Sequence, residues 1–372
     1  MTEVHAASTW PSRPSRTYGP LARRGARVQA TDAAAPAPYR RRLQIGLGLI
    51  WLLDAALQFQ PYMFTKNFPN EVIAPTGQGS PGWVEHPVTW AADLMAGHIV
   101  VLNALFALTQ LAIAVGILYR RTVRPALLAS IVWSLAVWWL GEGLGGMLAG
   151  AVSPLKGAPG AVLIYLLIAV LVWPAASPDG RRPSVATASP LGPLAARVAW
   201  LVLWSVLAVE ALLPDERSPS GLHDLLAGNA DGEPGWVKSI DSWAAGLADH
   251  RGTELSLVLG VLLAVVAVGV FTRWTLRPVL VLAVLLSLVI WVAAENFGAL
   301  ATGKATDPNS GPLLALLAAT YWPVATTGRR SDTRQAGRGA EDRFAAGRSA
   351  GDDVRDAEEH SGLEGGDAEG LV

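Results

Sequence analysis

Residues 99–118 of this chain read IVVLNALFALTQLAIAVGIL, and residues 255–271 read LSLVLGVLLAVVAVGVF. Neither stretch contains a charged residue, and each is long enough as an α-helix to cross the core of a bilayer. The whole chain of 372 residues is 51% hydrophobic and 16% charged, whereas soluble globular proteins carry about 25% charged residues. We therefore expect an integral membrane protein, and the composition argues against a soluble enzyme, a nucleic-acid binder and a disulfide scaffold.

Further apolar runs extend this pattern to eight candidate transmembrane helices, of which the fourth and eighth are the shortest. They are predicted at residues 43–60, 99–119, 125–148, 160–175, 194–213, 255–272, 278–301 and 311–326. Backbone groups in lipid must be hydrogen-bonded within the segment, and the runs lack the alternation of a barrel strand. The predicted fold class is therefore an all-α integral membrane protein with the lipid bilayer as its first partner.

Arginine residues predict the orientation of these spans in the cell membrane. They precede the first span and fill the loops after the second, fourth, sixth and eighth spans: Arg40, Arg41, Arg42, Arg120, Arg121, Arg124, Arg181, Arg182, Arg197, Arg273, Arg277, Arg329 and Arg330. All lie on one side if both termini are cytoplasmic, as the positive-inside rule requires. The chain start lacks the features of a signal peptide, so the first span is expected to be an uncleaved anchor.

The two ends of the chain differ in charge and lack hydrophobic periodicity. Residues 1–42 contain eight arginines and two acids, and the tail from residue 327 contains eleven acids and seven arginines. Both are rich in small residues and proline, which is typical of disorder. The predicted organisation is an N-terminal tail (1–42), a first membrane unit (43–176), a cytoplasmic linker (177–193), a second membrane unit (194–326) and a C-terminal tail (327–372), both tails being cytoplasmic.

A constant offset of 153 residues relates the two membrane units. It pairs residues of rare type along residues 51–159 without a gap: Trp51 with Trp204, Pro61 with Pro214, Trp90 with Trp243, Arg124-Pro125 with Arg277-Pro278, Glu142 with Glu295, and Pro159 with Pro312. Each unit holds four spans, an even number, so both copies share one orientation. The sequence thus predicts two parallel four-helix repeats, related by an axis along the membrane normal.

Each unit has a long outer loop after its first span. Turn residues followed by mixed apolar and polar residues predict short helices at the membrane interface over 67–74, 83–97, 220–227 and 236–249. Trp83, Trp90, Trp236 and Trp243 are expected at headgroup depth. His98 and His250, at the ends of these loops, are further candidates for a site on the outer side.

The second span of the first unit ends in Gly-Ile-Leu-Tyr-Arg-Arg-Thr-Val-Arg-Pro-Ala, residues 116–126. A four-span unit with this basic turn resembles the DoxX/DoxD-like membrane proteins, in which a glycine-rich second helix precedes an alanine-rich third helix. The likeness covers 43–176 and 194–326, and Asn103 and Gln110 stand where that family has an acidic residue. The resemblance implies a link to quinone or sulfur redox chemistry.

Four acidic residues are predicted at membrane depth: Asp54, Glu142, Glu210 and Glu295. An ionised carboxylate near the centre of a transmembrane helix costs roughly 2.5–3.5 kcal/mol on insertion scales, so such residues are candidates for function. One hypothesis is a pair of outward-facing cavities in which these carboxylates accept a proton, a cation or a cationic ligand. The alternative is that Glu142 and Glu295 stay protonated, or accept bonds from tryptophan N–H groups, and tie helices together.

The sequence predicts no cofactor. The chain has no cysteine, and its six histidines lie outside the predicted spans, which leaves a buried bis-histidine haem without ligands. Copper is conceivable in the first unit, where thioether and imidazole groups lie on the outer side. These groups belong to Met63, Met95, Met147, His86 and His98. The more ordinary interpretation is that the methionines fill space between apolar side chains.

Three functions remain open. The first is an accessory or ligand-binding subunit of a membrane redox or cell-envelope system, with a second membrane protein as a partner. The second is a proton- or cation-coupled transporter of a small molecule, and the third is a structural scaffold. The sequence shows no nucleophile–base pair and no metal-ligand spacing, which argues against an enzyme.

Overall fold

The structure, a computed structural model, describes residues 37–150, 152–174, 184–214, 217–228 and 232–324. These ranges form helices and turns and contain no β-strand. Their α-helices are α1 (Ala37–Leu57), α2 (Gly82–Gly97), α3 (Ile99–Leu118), α4 (Val123–Leu140), α5 (Ala161–Leu171), α6 (Gly192–Glu210), α7 (Gly221–Gly228), α8 (Gly235–Ala248), α9 (Gly252–Gly269), α10 (Leu276–Ala293) and α11 (Ser310–Thr320). The expected all-helical fold is confirmed for this part of the chain.

Five helices, α3, α4, α6, α9 and α10, are long and apolar enough to cross a membrane. They have 18–20 residues and a mean hydropathy of 1.5–2.5, and about a third of the residues of each helix are buried inside the protein. The remainder is apolar surface: on α3, for example, Val100, Val101, Leu105 and Leu108 each expose more than half of their area. Many exposed apolar side chains on one helix are typical of a membrane protein, because contact between apolar surface and water is unfavourable.

Two further apolar helices, α5 and α11, have only 11 residues each. They span about 16 Å at 1.5 Å per residue, roughly half of the hydrocarbon core. They lie at the centre of the fold, where α5 packs on α4 and on α11, and α11 packs on α10. Their buried side chains, among them Tyr165 and Leu314, join the main hydrophobic core. Helices this short and this apolar are typical of a protein interior.

Helix α1 packs on α3, and α6 packs on α9. Helix α1 begins at Ala37, six residues before the predicted start, so residues 37–42 are helical and do not belong to a disordered tail. Arg41 explains part of this extension, because its guanidinium donates to the carbonyl oxygens of Ile117 and Leu118 at the end of α3. Residues 1–36 and 325–372, which hold the rest of the two predicted tails, lie outside the described residues.

The predicted third and seventh spans, 125–148 and 278–301, are too long at their C-terminal ends. Helix α4 ends at Leu140 and α10 at Ala293, and each is followed by a turn, Gly143–Gly146 or Asn296–Ala299, in which every residue has a positive φ. Four successive left-handed residues cannot continue a right-handed helix. Gly141 and Gly145 are four residues apart, a spacing that would put both on one face of a continuous helix, but both lie beyond the end of α4.

The predicted cytoplasmic linker, 177–193, is partly within the described residues, and that part packs against the core. Val185 and Ala186 are fully buried, and the Ala186 N–H donates to the carbonyl oxygen of Thr320 at the end of α11. Arg40 of α1 donates to the carbonyl oxygen of Ala188. This segment therefore joins α1, α11 and the start of α6.

The predicted outer-loop helices are present in the structure. Segment 67–74 forms a π-helical turn over Phe68–Ile73, and segment 83–97 is covered by α2. In the second half, α7 and α8 occupy the corresponding predicted segments. Trp83, Trp90, Trp236 and Trp243 each expose more than half of their surface. Such exposed indole rings suit a membrane interface, and that placement stays a prediction.

Candidate functional site

Glu142 and Glu295 follow the ends of α4 and α10 and reach across to the next helix. Glu142 Oε1 accepts the N–H of Val162 in the first turn of α5, at 3.3 Å. Glu295 Oε2 accepts the N–H of Gly311 in the first turn of α11, at 3.0 Å, and its Oε1 accepts the hydroxyl of Ser310. The first N–H groups of a helix lack partners within it, and they carry partial positive charge that favours an anion. Each glutamate therefore binds two helices together.

The tryptophan N–H groups near these glutamates donate elsewhere. Trp138 Nε1 donates to the carbonyl oxygen of Pro159 at 2.8 Å, and Trp291 Nε1 donates to that of Pro308, also at 2.8 Å. The suggested tryptophan–glutamate bonds are therefore wrong. The glutamates accept backbone N–H groups at the start of the next helix instead. The indoles instead fix the chain just before α5 and α11.

These bonds also show where the constant offset of 153 residues ends. The turns after α4 and α10 keep that offset. Beyond them the offset is 149 residues: it relates Pro159 to Pro308, whose carbonyl oxygens accept the equivalent tryptophan bonds, and the start of α5 to the start of α11. The predicted pairing of Pro159 with Pro312 is therefore not the structural one. The loop before α11 is four residues shorter than the loop before α5, and prolines in both loops concealed the gap.

A cavity of about 500 Å³, which we call the carboxylate cavity, lies between the two loops. Glu142, Glu295 and Asp307 line it together with two lysines, Lys156 and Lys304. The structure thus brings two of the four predicted acids into one cavity rather than two separate ones.

Asp307 is a site residue that the sequence did not indicate. It lies in the loop before α11, where its Oδ1 accepts the N–H of Asn309 at 2.7 Å and its Oδ2 accepts the hydroxyl of Thr306 at 2.8 Å. An aspartate in the run Thr-Asp-Pro-Asn resembles an ordinary turn residue. Only the fold carries this loop of the second half into a cavity shared with the first.

A second cavity, of about 400 Å³, adjoins the first and shares Glu142 and Asp307 with it. We call it the aromatic cavity because six of its lining residues are aromatic: Trp51, Phe68, Trp90, Phe106, Trp133 and Tyr165. Trp51 and Tyr165 have ring centroids 4.5 Å apart, and Phe106 and Trp133 meet edge to face at 5.0 Å. These pairs give the cavity rigid apolar walls.

Asp54 lies on the wall of the aromatic cavity. The residue is 2% exposed, and its Oδ2 accepts the hydroxyl of Tyr165 at 2.5 Å, while Oδ1 has no hydrogen-bond partner. Glu142 Oε2 and the side-chain oxygens of Gln58 and Gln110 also lack partners and also belong to lining residues. The cavity therefore contains several buried acceptors without donors, an arrangement that is costly unless a ligand, water or a proton satisfies them.

Glu210 is the one predicted acid that the structure keeps apart from the others. It ends α6 and lines a separate cavity with Met147 and Val202, and neither of its carboxyl oxygens has a hydrogen-bond partner. The offset of 153 residues pairs Asp54 with position 207, and Glu210 lies three residues, or about one helical turn, beyond that position. For this reason the sequence suggested that the two acids lie on similar faces. The corresponding position to Asp54 is Leu207, which is 1% exposed.

The predicted outer-loop histidines and methionines do not converge. His98 and His250 are exposed, whereas Met63 and Met95 are buried in an apolar cluster with Phe68. Met147 lies with Glu210 on the separate cavity. Among the described residues, no group of three or more His, Cys, Asp or Glu side chains is arranged to hold a metal ion. Met63 and Met95 thus act as core residues.

A further acidic pair that the sequence did not indicate consists of Glu233, just before α8, and Asp241, on the buried face of α8. Asp241 is fully buried, and its Oδ2 accepts the side-chain amide of Asn296 at 3.2 Å. Glu233 is nearby, and its negative charge and that of Asp241 disfavour each other, so that burial and this repulsion raise the pKa of Glu233. The positions 153 residues earlier are Ser80, Val88 and Gly143, so this pair is particular to the second half.

Comparison with known proteins gives no relative from which these residues can be interpreted: no family model, curated protein or solved structure matches the chain.

Proposed function

We propose that this chain is a multi-pass membrane protein that binds a small ligand at the carboxylate cavity and serves as an accessory subunit of a membrane redox or cell-envelope system. The observation that carries the proposal is the convergence of Glu142, Glu295 and Asp307, from two distant parts of the chain, on one cavity. Intramembrane carboxylates are costly and are kept mainly where they serve a function. The DoxX/DoxD-like resemblance supports the choice of a redox or envelope system.

The proposal includes eight spans with both termini in the cytoplasm. Five helices meet the length and hydropathy of a span, and the arginine distribution supports the orientation. Helix α1 with its three arginines supplies the sixth. Helices α5 and α11 are short, and in the proposal each completes its crossing together with the loop that precedes it. Irregular backbone at membrane depth is tolerated where it is buried in protein or lines a water-filled cavity.

The proposal also retains the two parallel four-helix units. Its support is the recurrence of contacts: a tryptophan N–H that donates to a proline carbonyl, and a glutamate that accepts the first N–H groups of a short helix. The Arg-Pro corners at Arg124 and Arg277 both lie in the first turn of a long helix, where proline needs no partner for its nitrogen.

Coupled transport of a proton or cation is the second candidate. The feature that favours it is the contact between the two cavities, since Glu142 and Asp307 line both and would meet a proton or cation that passes from one to the other. A flux measurement in liposomes, with wild type and Glu142→Gln, separates transport from binding.

The test of the proposed function is Glu142→Gln in the source organism. Glutamine keeps the oxygen that accepts the Val162 N–H and removes only the charge. The variant should reproduce the growth and envelope phenotype of the deletion strain while its amount in the membrane, measured with a tag, stays at the wild-type level. Glu210→Gln is the matched control, because that carboxyl is buried outside both cavities. A wild-type phenotype for Glu142→Gln beside a clear deletion phenotype would contradict the proposal and favour a scaffold.

A further inference from the structure

The aromatic cavity is lined mainly by the first half of the chain, and leucines occupy several of the corresponding positions in the second half. Asp54 and Tyr165, which bond to each other, correspond to Leu207 and Leu314, using the offset of 153 before the loop and 149 after it. Both leucines are buried, at 1% and 2% exposure. The same offset places leucines at the positions of Phe106, Gln110 and Trp133, namely Leu259, Leu263 and Leu286. One half therefore has a polar cavity where the other has a packed core.

The charges on the wall of this cavity all have one sign. Its acidic lining residues are Asp54, Glu142 and Asp307, and none of the residues that line it is lysine, arginine or histidine. The lysines of the adjoining carboxylate cavity, Lys156 and Lys304, do not reach it. Unpaired buried carboxyl groups require either protons or a cation. A cation bound here would meet no basic side chain among the residues that line the cavity.

Four buried oxygens of the lining residues lack a hydrogen-bond donor, and one buried donor, Trp133 Nε1, lacks an acceptor. Asp54 Oδ1 and Glu142 Oε2 have no hydrogen-bond partner, and the same holds for the side-chain oxygens of Gln58 and Gln110. An ammonium group supplies up to three N–H donors to such oxygens, and aromatic faces attract it as well. A phosphate or carboxylate beside the ammonium would instead be repelled by the acidic groups, which disfavours zwitterionic headgroups.

The rest of the cavity is apolar and of the size of a small-molecule site. Its volume of about 400 Å³ lies within the range of roughly 300–1,000 Å³ that is usual for ligand pockets. Trp90, 60% exposed, lies at its entrance, while Trp51 is fully buried at the wall beside Asp54. An apolar body between the aromatic walls and a charged head at the acidic groups would together match this lining.

We propose that the aromatic cavity binds a free amphipathic amine, with its ammonium at Asp54, Glu142 and Asp307 and its apolar body against the aromatic walls. This inference rests on the proposed function and extends it to the adjoining cavity, which shares Glu142 and Asp307 with the carboxylate cavity. The second half has buried leucines, Leu207 and Leu314, at the positions of Asp54 and Tyr165, and so it does not have the site.

The test uses the full chain in dodecyl maltoside and measures saturable binding of radiolabelled octylammonium by equilibrium dialysis. Octanol keeps the apolar body without charge, octanoate reverses the charge, and methylammonium keeps the head without the body. We expect octylammonium to bind at one site per chain, and each of the other three to compete roughly tenfold or more weakly, as is usual when a charged hydrogen bond or an apolar body is lost. Equal competition by octanol, or no saturable binding of octylammonium, would overturn the proposal.

A variant built on the chain's own second half removes the site. Asp54→Leu together with Tyr165→Leu reproduces the Leu207–Leu314 pair, so the fold has a precedent for it. We expect roughly tenfold or greater loss of octylammonium affinity, with unchanged elution from a sizing column, and Glu210→Gln should bind as wild type. A folded double variant with wild-type affinity would refute the assignment of the site. If the double variant does not fold, the ligand series on the wild type still decides.

The two proposals can fail separately. If octanol competes as well as octylammonium, the cavity binds ligands but the amine class is wrong, and the proposed function is untouched. If Glu142→Gln has no phenotype in the source organism while octylammonium still binds to the wild type with the expected preference, the site exists but the proposed function is wrong.

Discussion

Replacing Glu295 by alanine should destabilise the protein about twice as much as replacing Glu142. Both oxygens of Glu295 accept bonds from the start of α11, one from the Ser310 hydroxyl and one from the Gly311 N–H. Glu142 accepts a single bond, from the Val162 N–H. A hydrogen bond to a charged group contributes about 1.5–3 kcal/mol. The expected losses in the free energy of unfolding are therefore about 3–6 kcal/mol for Glu295→Ala and about 1.5–3 kcal/mol for Glu142→Ala.

The measurement is reversible unfolding by sodium dodecyl sulfate in mixed micelles, followed by circular dichroism. Glu210→Ala is the control: its carboxyl is 3% exposed and neither oxygen has a partner, so its removal should cost nothing or stabilise the fold. Equal losses for Glu142→Ala and Glu295→Ala, or a larger loss for Glu142→Ala, would refute the claim that Glu295 is the more structural of the two.

Three further outcomes are expected. Ser130→Ala should cost about 1–3 kcal/mol of unfolding free energy, because the buried Trp51 N–H loses its only acceptor, at 3.0 Å; no loss in the same titration would contradict this. Gly160→Ala should lower the melting temperature, since φ is +107° and a Cβ would lie 2.2 Å from Glu142 Oε2; an unchanged melt would argue against that contact. Octylammonium affinity should rise with pH, because only ionised carboxyl groups in the cavity attract the cation; a flat profile between about pH 6 and pH 9 would count against it.

The sequence predicts the helices better than it predicts their ends. Hydropathy located every long helix, because lipid and protein interiors both select apolar residues. It extended the third and seventh spans past Leu140 and Ala293, because most of the residues that follow, in 141–146 and 294–299, are also small or apolar. Hydropathy contains no term for backbone dihedral angles, so it could not detect a turn built of left-handed residues.

The candidate site was predictable in part. Glu142 and Glu295 stood out as acids within apolar runs, and Asp54 stood out for the same reason. Asp307 and Tyr165 did not, because an aspartate in a loop and a tyrosine in an apolar helix are ordinary. Their roles depend on how α5 and α11 pack at the centre of the fold, which is a tertiary property.

The offset between the halves also explains one defect in the core. Trp51 donates to Ser130, whereas the buried Trp204 N–H has no partner. The residue that corresponds to Ser130 is Ala283, which has no hydroxyl. Ala283→Ser should therefore supply the missing acceptor and stabilise the protein by about 0.5–1.5 kcal/mol.

The most direct test of the account is the topology of the chain in the membrane. Because the protein has no cysteine, each introduced cysteine is unique and reports its own position. With a membrane-impermeant maleimide applied to intact cells, Trp83→Cys and Trp236→Cys should react, while Arg121→Cys and Arg273→Cys should react only after the cells are opened. Labelling of the two arginine positions from outside, or labelling of the two tryptophan positions only from inside, would contradict the proposed membrane arrangement.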